Sequence, residues 1–294
     1  MQISANGIAI EVQDEGPPNG EPLLLIMGLG MQLTSWPAEL VQALIAQGFR
    51  VIRFDNRDAG LSQGFDHLGV PSLPLAALQH FVHLPVRSAY RLADMARDAL
   101  GVLDALGIAR AHVAGASLGG MVAQHLAAEN PQRLRSLTLI MTTSGSRRLP
   151  QASLAARRVL MQRPGGHDAE SLADHYVRLF NVIGSPAYPP EPRAFRERML
   201  RNVTRAWRPG GTIRQLVAVA ADGDRTPLLA RIRQPTHVIH GEADPLVPVE
   251  NGRDLSRRIA GATSDFIPGM GHDLPLPLIS RFVDGLVTNA ARAA

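Results

Sequence analysis

The chain has 294 residues, is 45% hydrophobic and 19% charged, and carries a formal net charge of +4. A chain of this length can bury roughly three quarters of its unfolded surface, and this composition lies outside the disordered class. It contains no cysteine, which excludes disulfides, thiolate nucleophiles and sulfur-based zinc sites; all thirty basic residues are arginine, set beside acids and not among aromatics, so no nucleic-acid groove is expected.

The opening residues, MQISANGIAIEVQDEG, lack the basic start and long apolar run of a secretory signal, and no apolar run reaches the length of a membrane span. The reading therefore favours the cytoplasm and expects no stable membrane insertion. MQIS and IAIEVQ alternate as short strands joined at Asn6-Gly7, a dipeptide suited to a hairpin turn. LLLIM (23–27) is an unbroken apolar run, as expected of a strand covered on both faces, and it ends in Gly28-Leu29-Gly30. A helical pattern, SWPAELVQALIAQG, closes at Gly48, and RVIRF (50–54) supplies the next strand.

From Ser62 to Pro85 the proline content predicts a long, partly ordered connection. Residues 90–107 then place Leu92, Met95, Ala99, Val102, Leu103 and Leu106 at helical spacing, with charged residues opposite. Strands follow at AHVAG (111–115), SLTLIM (136–141), THVIHG (236–241) and SDFI (264–267), each beside a helical pattern. Such alternation predicts an α/β fold with a mostly parallel central sheet flanked by helices. Residues 145–228 break the rhythm and are read as an inserted helical lid, which leaves 1–144 and 229–294 as the core. That segment holds fourteen arginines against seven acids, whereas the rest holds sixteen against nineteen. The asymmetry would steer anionic substrates or dock the lid on the body, although a solvated helical face is the commoner reason for such charge.

The chemistry is carried by Gly115-Ala116-Ser117-Leu118-Gly119, a G-x-S-x-G pentapeptide between a strand and a helical pattern. A serine on that sharp turn needs glycines on both sides, because a Cβ there would collide. The hydroxyl also needs a base. Gly269-Met270-Gly271-His272 supplies one just past the last strand, where sites in open α/β sheets are built. His240, His112 and His125 compete but read as strand and helix members. The orienting carboxylate is assigned to Asp244 in Gly241-Glu242-Ala243-Asp244, with Glu242 as nearest rival and Asp273 disfavoured by its adjacency to the base. Oxyanion donors are expected from the backbone N–H groups of Leu118, at a helix start, and Leu29. Trp36 either lines an acyl pocket or anchors the following helix. Asp55, Arg57 and Asp58 form the next most conspicuous polar cluster, for which a catalytic role is conceivable.

Together MGLGMQLTSWP, FDNRDAGLS, GASLGGMVAQ, HGEADPLVP and IPGMGHDLP resemble the α/β-hydrolase superfamily, and within it bacterial esterases of the aclacinomycin methylesterase type. The resemblance runs over essentially the whole chain. It implies a Ser117–His272–Asp244 triad, main-chain donors at Leu29 and Leu118, a helical lid, and a structural role for Asp55, Arg57 and Asp58 in bracing the loop after RVIRF; two-step acyl transfer by such a triad requires no metal or organic cofactor. Met27 stands where many relatives carry histidine, a position outside the triad. The expected activity is hydrolysis of a small or medium-sized carboxylic ester. The same triad also serves thioesterases, lactonases, C–C hydrolases, acyltransferases and perhydrolases. A ligand receptor that kept the fold is the rival of another class, and the complete triad counts against it. Nothing in the sequence reports the oligomeric state.

Overall fold

Two antiparallel strands, β1 (Gln2–Ala5) and β2 (Ile8–Glu15), open the computed structural model, which describes residues 1–293. Asn6 (φ 50°) and Gly7 (φ 77°) make the turn between them, the positive-φ pair that Asn-Gly adopts at low cost. β3 (Glu21–Ile26), α1 (Ala38–Ala46) and β4 (Phe49–Phe54) follow. Then come α2 (Leu73–Phe81), α3 (Leu92–Ala105), β5 (Ala111–Ala116), α4 (Leu118–Glu129) and β6 (Leu134–Ile140). Five helices succeed β6: α5 (Leu154–Met161), α6 (Ala169–Ile183), α7 (Pro192–Arg205), α8 (Pro209–Asp222) and α9 (Thr226–Leu229). The chain closes with β7 (Thr236–Gly241), α10 (Glu250–Arg258), β8 (Thr263–Ile267) and α11 (Ile279–Ala291).

The eight strands form one sheet in the order β1-β2-β4-β3-β5-β6-β7-β8. β1, β2 and β4 pair antiparallel, and every pairing from β4 through β3 to β8 is parallel. Parallel strands need crossovers, so the helices fall on both faces and the inner strands are apolar on both sides. In β3, Leu24 and Ile26 join the core under α3 and α4, while Leu23 and Leu25 join the one under α1 and α11. Val238 and Ile239 in β7 divide the same way. Among the described residues no helix is long and apolar enough to cross a membrane.

The expected connection from Ser62 to Pro85 contains a helix, α2, and this corrects the sequence reading. Ser72 caps it by accepting from the Leu75 N–H, and Pro74 sits in its first turn, where the missing N–H costs nothing. The pattern was invisible because α2 has no polar face: Leu75, Leu78 and Phe81 are exposed and only Ala76 is buried. The segment between β6 and β7 is helical as expected, and the boundary placed at 228 falls inside α9, whose Leu229 belongs to the main core.

Candidate active site

The residues singled out at strand ends converge at the carboxyl edge of the sheet. Ser117 follows β5 with φ 52° and ψ −117°, a conformation that a non-glycine residue holds only under tight packing. The packing is visible in its glycines. A Cβ at Gly119 would lie 2.0 Å from the Ile26 carbonyl oxygen, and one at Gly115 would lie 2.3 Å from the Gly119 carbonyl oxygen. The turn is thus pressed against the end of β3, and the hydroxyl stands above the sheet.

His272 Nε2 lies 3.0 Å from Ser117 Oγ, and His272 Nδ1 lies 2.7 Å from Asp244 Oδ2. The other carboxylate oxygen of Asp244 accepts from the N–H groups of Leu246 (2.9 Å) and Val247 (2.8 Å). Asp244 is buried, so its aim at the imidazole is fixed by these two amides. Glu242 is exposed and pairs with Arg253 at 3.3 Å, away from the imidazole. His240 is buried with Nε2 2.7 Å from the Val247 carbonyl, and burial lowers its pKa, which keeps it neutral beside Asp244. His112 contacts Ser136 and Glu21, and His125 contacts Glu129 and Asp222, both outside the site.

Leu29 and Leu118 both border the cavity that holds Ser117 and His272. Leu118 is the first residue of α4, so its N–H has no intrahelical partner and lies at the positive end of the helix dipole. The loop carrying Leu29 is held from two sides. Gln215 on α8 accepts from the Gly30 N–H (2.8 Å) and donates to the Arg57 carbonyl (2.7 Å), while Asn56 donates to the Met27 carbonyl (2.9 Å). No sequence motif announced Gln215.

Trp36 corrects the pocket reading. It is 1% exposed and packs in the core under α1 and α11, while its neighbours Ser35 and Pro37, but not Trp36 itself, border the cavity. It anchors the entry to α1. The cluster after β4 is structural in the geometry as well: Asp55 accepts from the Leu33 N–H (2.7 Å), Arg57 forms two bonds to Asp98 (2.6 and 2.7 Å), and Asp58 receives Arg214 and the Tyr90 hydroxyl.

The cavity measures about 230 Å³ and is mostly apolar, with Met27, Met121, Met141, Phe180 and Leu216 among its walls. Arg198 is the one arginine on that lining, and burial lowers its pKa. Its guanidinium packs over the Phe195 ring and has no hydrogen bond or ion pair among the described residues. Asp273, disfavoured as the acid, serves the histidine loop differently. Its carboxyl, raised in pKa by burial, accepts from the Ser185 hydroxyl; Ser185 Oγ in turn accepts from the Gly271 N–H at 2.8 Å. The His272 N–H donates to the Ile183 carbonyl at 2.7 Å. The end of α6 and the residues after it therefore clamp the loop that carries His272. Ser185 sits in an irregular stretch with no motif, and nothing local in the residues signals this contact.

These features agree with comparisons to known proteins. A family model described as the alpha/beta hydrolase fold matches residues 21–276. Rhodomycin D methylesterase of Streptomyces sp. strain C5 is 31% identical over 293 residues, covering 93% of this chain and 92% of that one. 2-Hydroxymuconate semialdehyde hydrolase of Pseudomonas sp. strain CF600 is 26% identical, covering 96% and 90%. The crystal structure of an esterase from Rhodococcus sp. ECU1013 superposes with a TM-score of 0.75 at 21% identity, covering 100% and 98%, a likeness of fold. With its sheet order, its strained serine turn and a family match over most of its length, the chain belongs to the α/β-hydrolase family.

Proposed function

We propose that this carboxylic ester hydrolase works through Ser117, His272 and Asp244 by way of an acyl-enzyme. The observation that carries the reading is the unbroken relay from Asp244 to His272 (2.7 Å) and from His272 to Ser117 (3.0 Å) at the floor of an apolar cavity. His272 Nε2 takes the Ser117 proton as Oγ adds to the ester carbonyl carbon. The N–H groups of Leu29 and Leu118 receive the oxyanion, and His272 returns its proton to the departing alcohol. Water, deprotonated by the same nitrogen, then adds to the acyl carbon, and Ser117 leaves with the proton as the acid is released. Asp244 holds the tautomer with the proton on Nδ1 and stabilises the imidazolium. Residues 145–228 act as the lid over this cavity. A methyl ester is the first substrate to try, because the methylesterase relative covers nearly the whole chain.

The test is hydrolysis of methyl and p-nitrophenyl esters by single variants. Ser117→Ala is expected to abolish turnover, and His272→Ala and Asp244→Asn to lower kcat on the order of a thousandfold or more with folding retained. Glu242→Gln is expected to change little. Near-normal kcat in Asp244→Asn together with a collapse in Glu242→Gln would move the carboxylate role to Glu242.

A further inference from the structure

β7 ends in His240 and Gly241, and the His240 side chain is fully buried. Its Nε2 lies 2.7 Å from the Val247 carbonyl oxygen. A carbonyl only accepts, so the imidazole carries its proton on Nε2 and leaves Nδ1 as a bare acceptor. That Nδ1 is buried and has no hydrogen-bond partner among the described residues. Gly252 of α10 lies against it, and a Cβ at Gly252 would stand 2.6 Å from Nδ1. An orphaned buried acceptor costs stability, and a leucine at the same place would not incur that cost. What the imidazole contributes is on its other edge. Val247 is held at both ends: its N–H donates to Asp244 Oδ1 at 2.8 Å, and its carbonyl accepts from His240. His240 Nε2 also lies 3.6 Å from Asp244 Oδ2, the oxygen that accepts from His272 Nδ1 at 2.7 Å. That distance is too long for a hydrogen bond, so the N–H faces the carboxylate without displacing His272 from it.

We infer that His240 is a positioning residue for the acid of the triad: as a neutral imidazole with its proton on Nε2, it fixes Val247 and through Val247 the aim of Asp244 at His272. The inference rests on Asp244 being the carboxylate that serves His272. Neutrality is part of the role, because an imidazolium at this place would compete with His272 for Asp244 Oδ2. The titratable groups that face His240 are Asp244, His272 and, from α10, Glu250. Burial opposes a charge on the ring and outweighs the two carboxylates that would favour one. An apolar side chain of the same volume fills the space but leaves the Val247 carbonyl without a donor. Glutamine reaches about as far as histidine and ends in an N–H, so it can restore that bond.

Kinetics of p-nitrophenyl ester hydrolysis in His240→Leu and His240→Gln test the role, together with 15N-histidine NMR of the parent. His240→Leu should lower kcat about tenfold or more with KM within about twofold, since a small misplacement of a catalytic group is costly. It should also move the acid limb of the kcat/KM profile to lower pH, because a poorly aimed carboxylate supports the His272 imidazolium less. His240→Gln should return kcat to within about threefold of the parent and bring the limb back. In the parent at about pH 7, the NMR signals lost in His240→Gln should belong to a neutral ring protonated on Nε2. An acid limb that stays in place with kcat within about twofold of the parent in folded His240→Leu would make the histidine structural only and overturn the inference. A His240 proton found on Nδ1 would overturn it without any variant needing to fold as the leucine one must. Near-normal kcat in Asp244→Asn would instead overturn the triad assignment beneath it.

Discussion

The helices between β6 and β7 are one segment by sequence and two by physics. The α7–α8 half is bolted to the body. Arg205 reaches Asp55 at 2.8 Å, Arg214 grips Asp58 with two bonds (2.8 and 2.7 Å), and Gln32 donates to the Asn202 carbonyl at 2.6 Å. The α5 half is held by little more than Ala156, Val159 and the Ser153 N–H bond to the Pro245 carbonyl, while Leu154 and Met161 stay exposed. Arg157 and Arg158 there are exposed and meet no acid among the described residues. The arginine surplus of the segment is therefore not a single steering field. Part of it is consumed in anchoring α7 and α8 to the body, Arg205 to Gln32 and Asp55 and buried Arg214 to Asp58, and Arg198 is the arginine that faces the site cavity.

The anchored half should be the costly one to damage. Arg214 is 1% exposed against an equally buried Asp58. Arg214→Met strands that carboxylate, and the expected loss is about 3–5 kcal/mol, read as a lower urea midpoint. A loss under about 1 kcal/mol would show that Tyr90 and the Phe65 N–H suffice to hold Asp58.

Next in size is the clamp on the histidine loop. Ser185→Ala removes a donor from half-buried Asp273 and an acceptor from the Gly271 N–H, with an expected cost of about 1–3 kcal/mol and a fall in kcat larger than any rise in KM. Unchanged kcat would make the contact structural only. Burial raises the Asp273 pKa above its ordinary value, so the folded chain holds this proton more tightly than the unfolded chain. Stability from this group is full below the ordinary carboxyl range and is lost as pH rises through the folded value. Asp273→Asn should therefore flatten the decline of Tm as pH rises above the ordinary carboxyl range. A decline as steep as the parent's would contradict the assignment.

The smallest effect belongs to the loose half. Arg157→Ala and Arg158→Ala should each stay within about 0.5 kcal/mol of the parent, and any preference for anionic esters should survive them but fall in Arg198→Met. If instead the preference falls with Arg157 and Arg158 and shrinks as salt rises, the whole segment steers.

What the sequence disclosed follows the same division. Ser117, Asp244 and His272 were legible because each ends a β-like run with glycine close by, and strand ends in a parallel sheet are forced together at one edge. The buried face of α3 was legible because its apolar spacing has a charged face for contrast. α2 was not, since it lacks that contrast. Ser185 and Gln215 were hidden for another reason: they accept from backbone N–H groups 86 and 185 residues away, and no local pattern encodes such a contact. Trp36 was ambiguous because a large apolar residue beside a catalytic loop fits either wall or core, and only packing decides.

The central claim is that Ser117 is an activated nucleophile facing two main-chain donors. A fluorophosphonate probe reads this directly, because its phosphorus centre is attacked by an activated serine and the adduct can be located by peptide mass spectrometry. The account predicts one adduct per chain, on Ser117, lost in Ser117→Ala and slowed in His272→Ala. Labelling of undiminished rate in Ser117→Ala, or an adduct on any other serine of the parent, would contradict it.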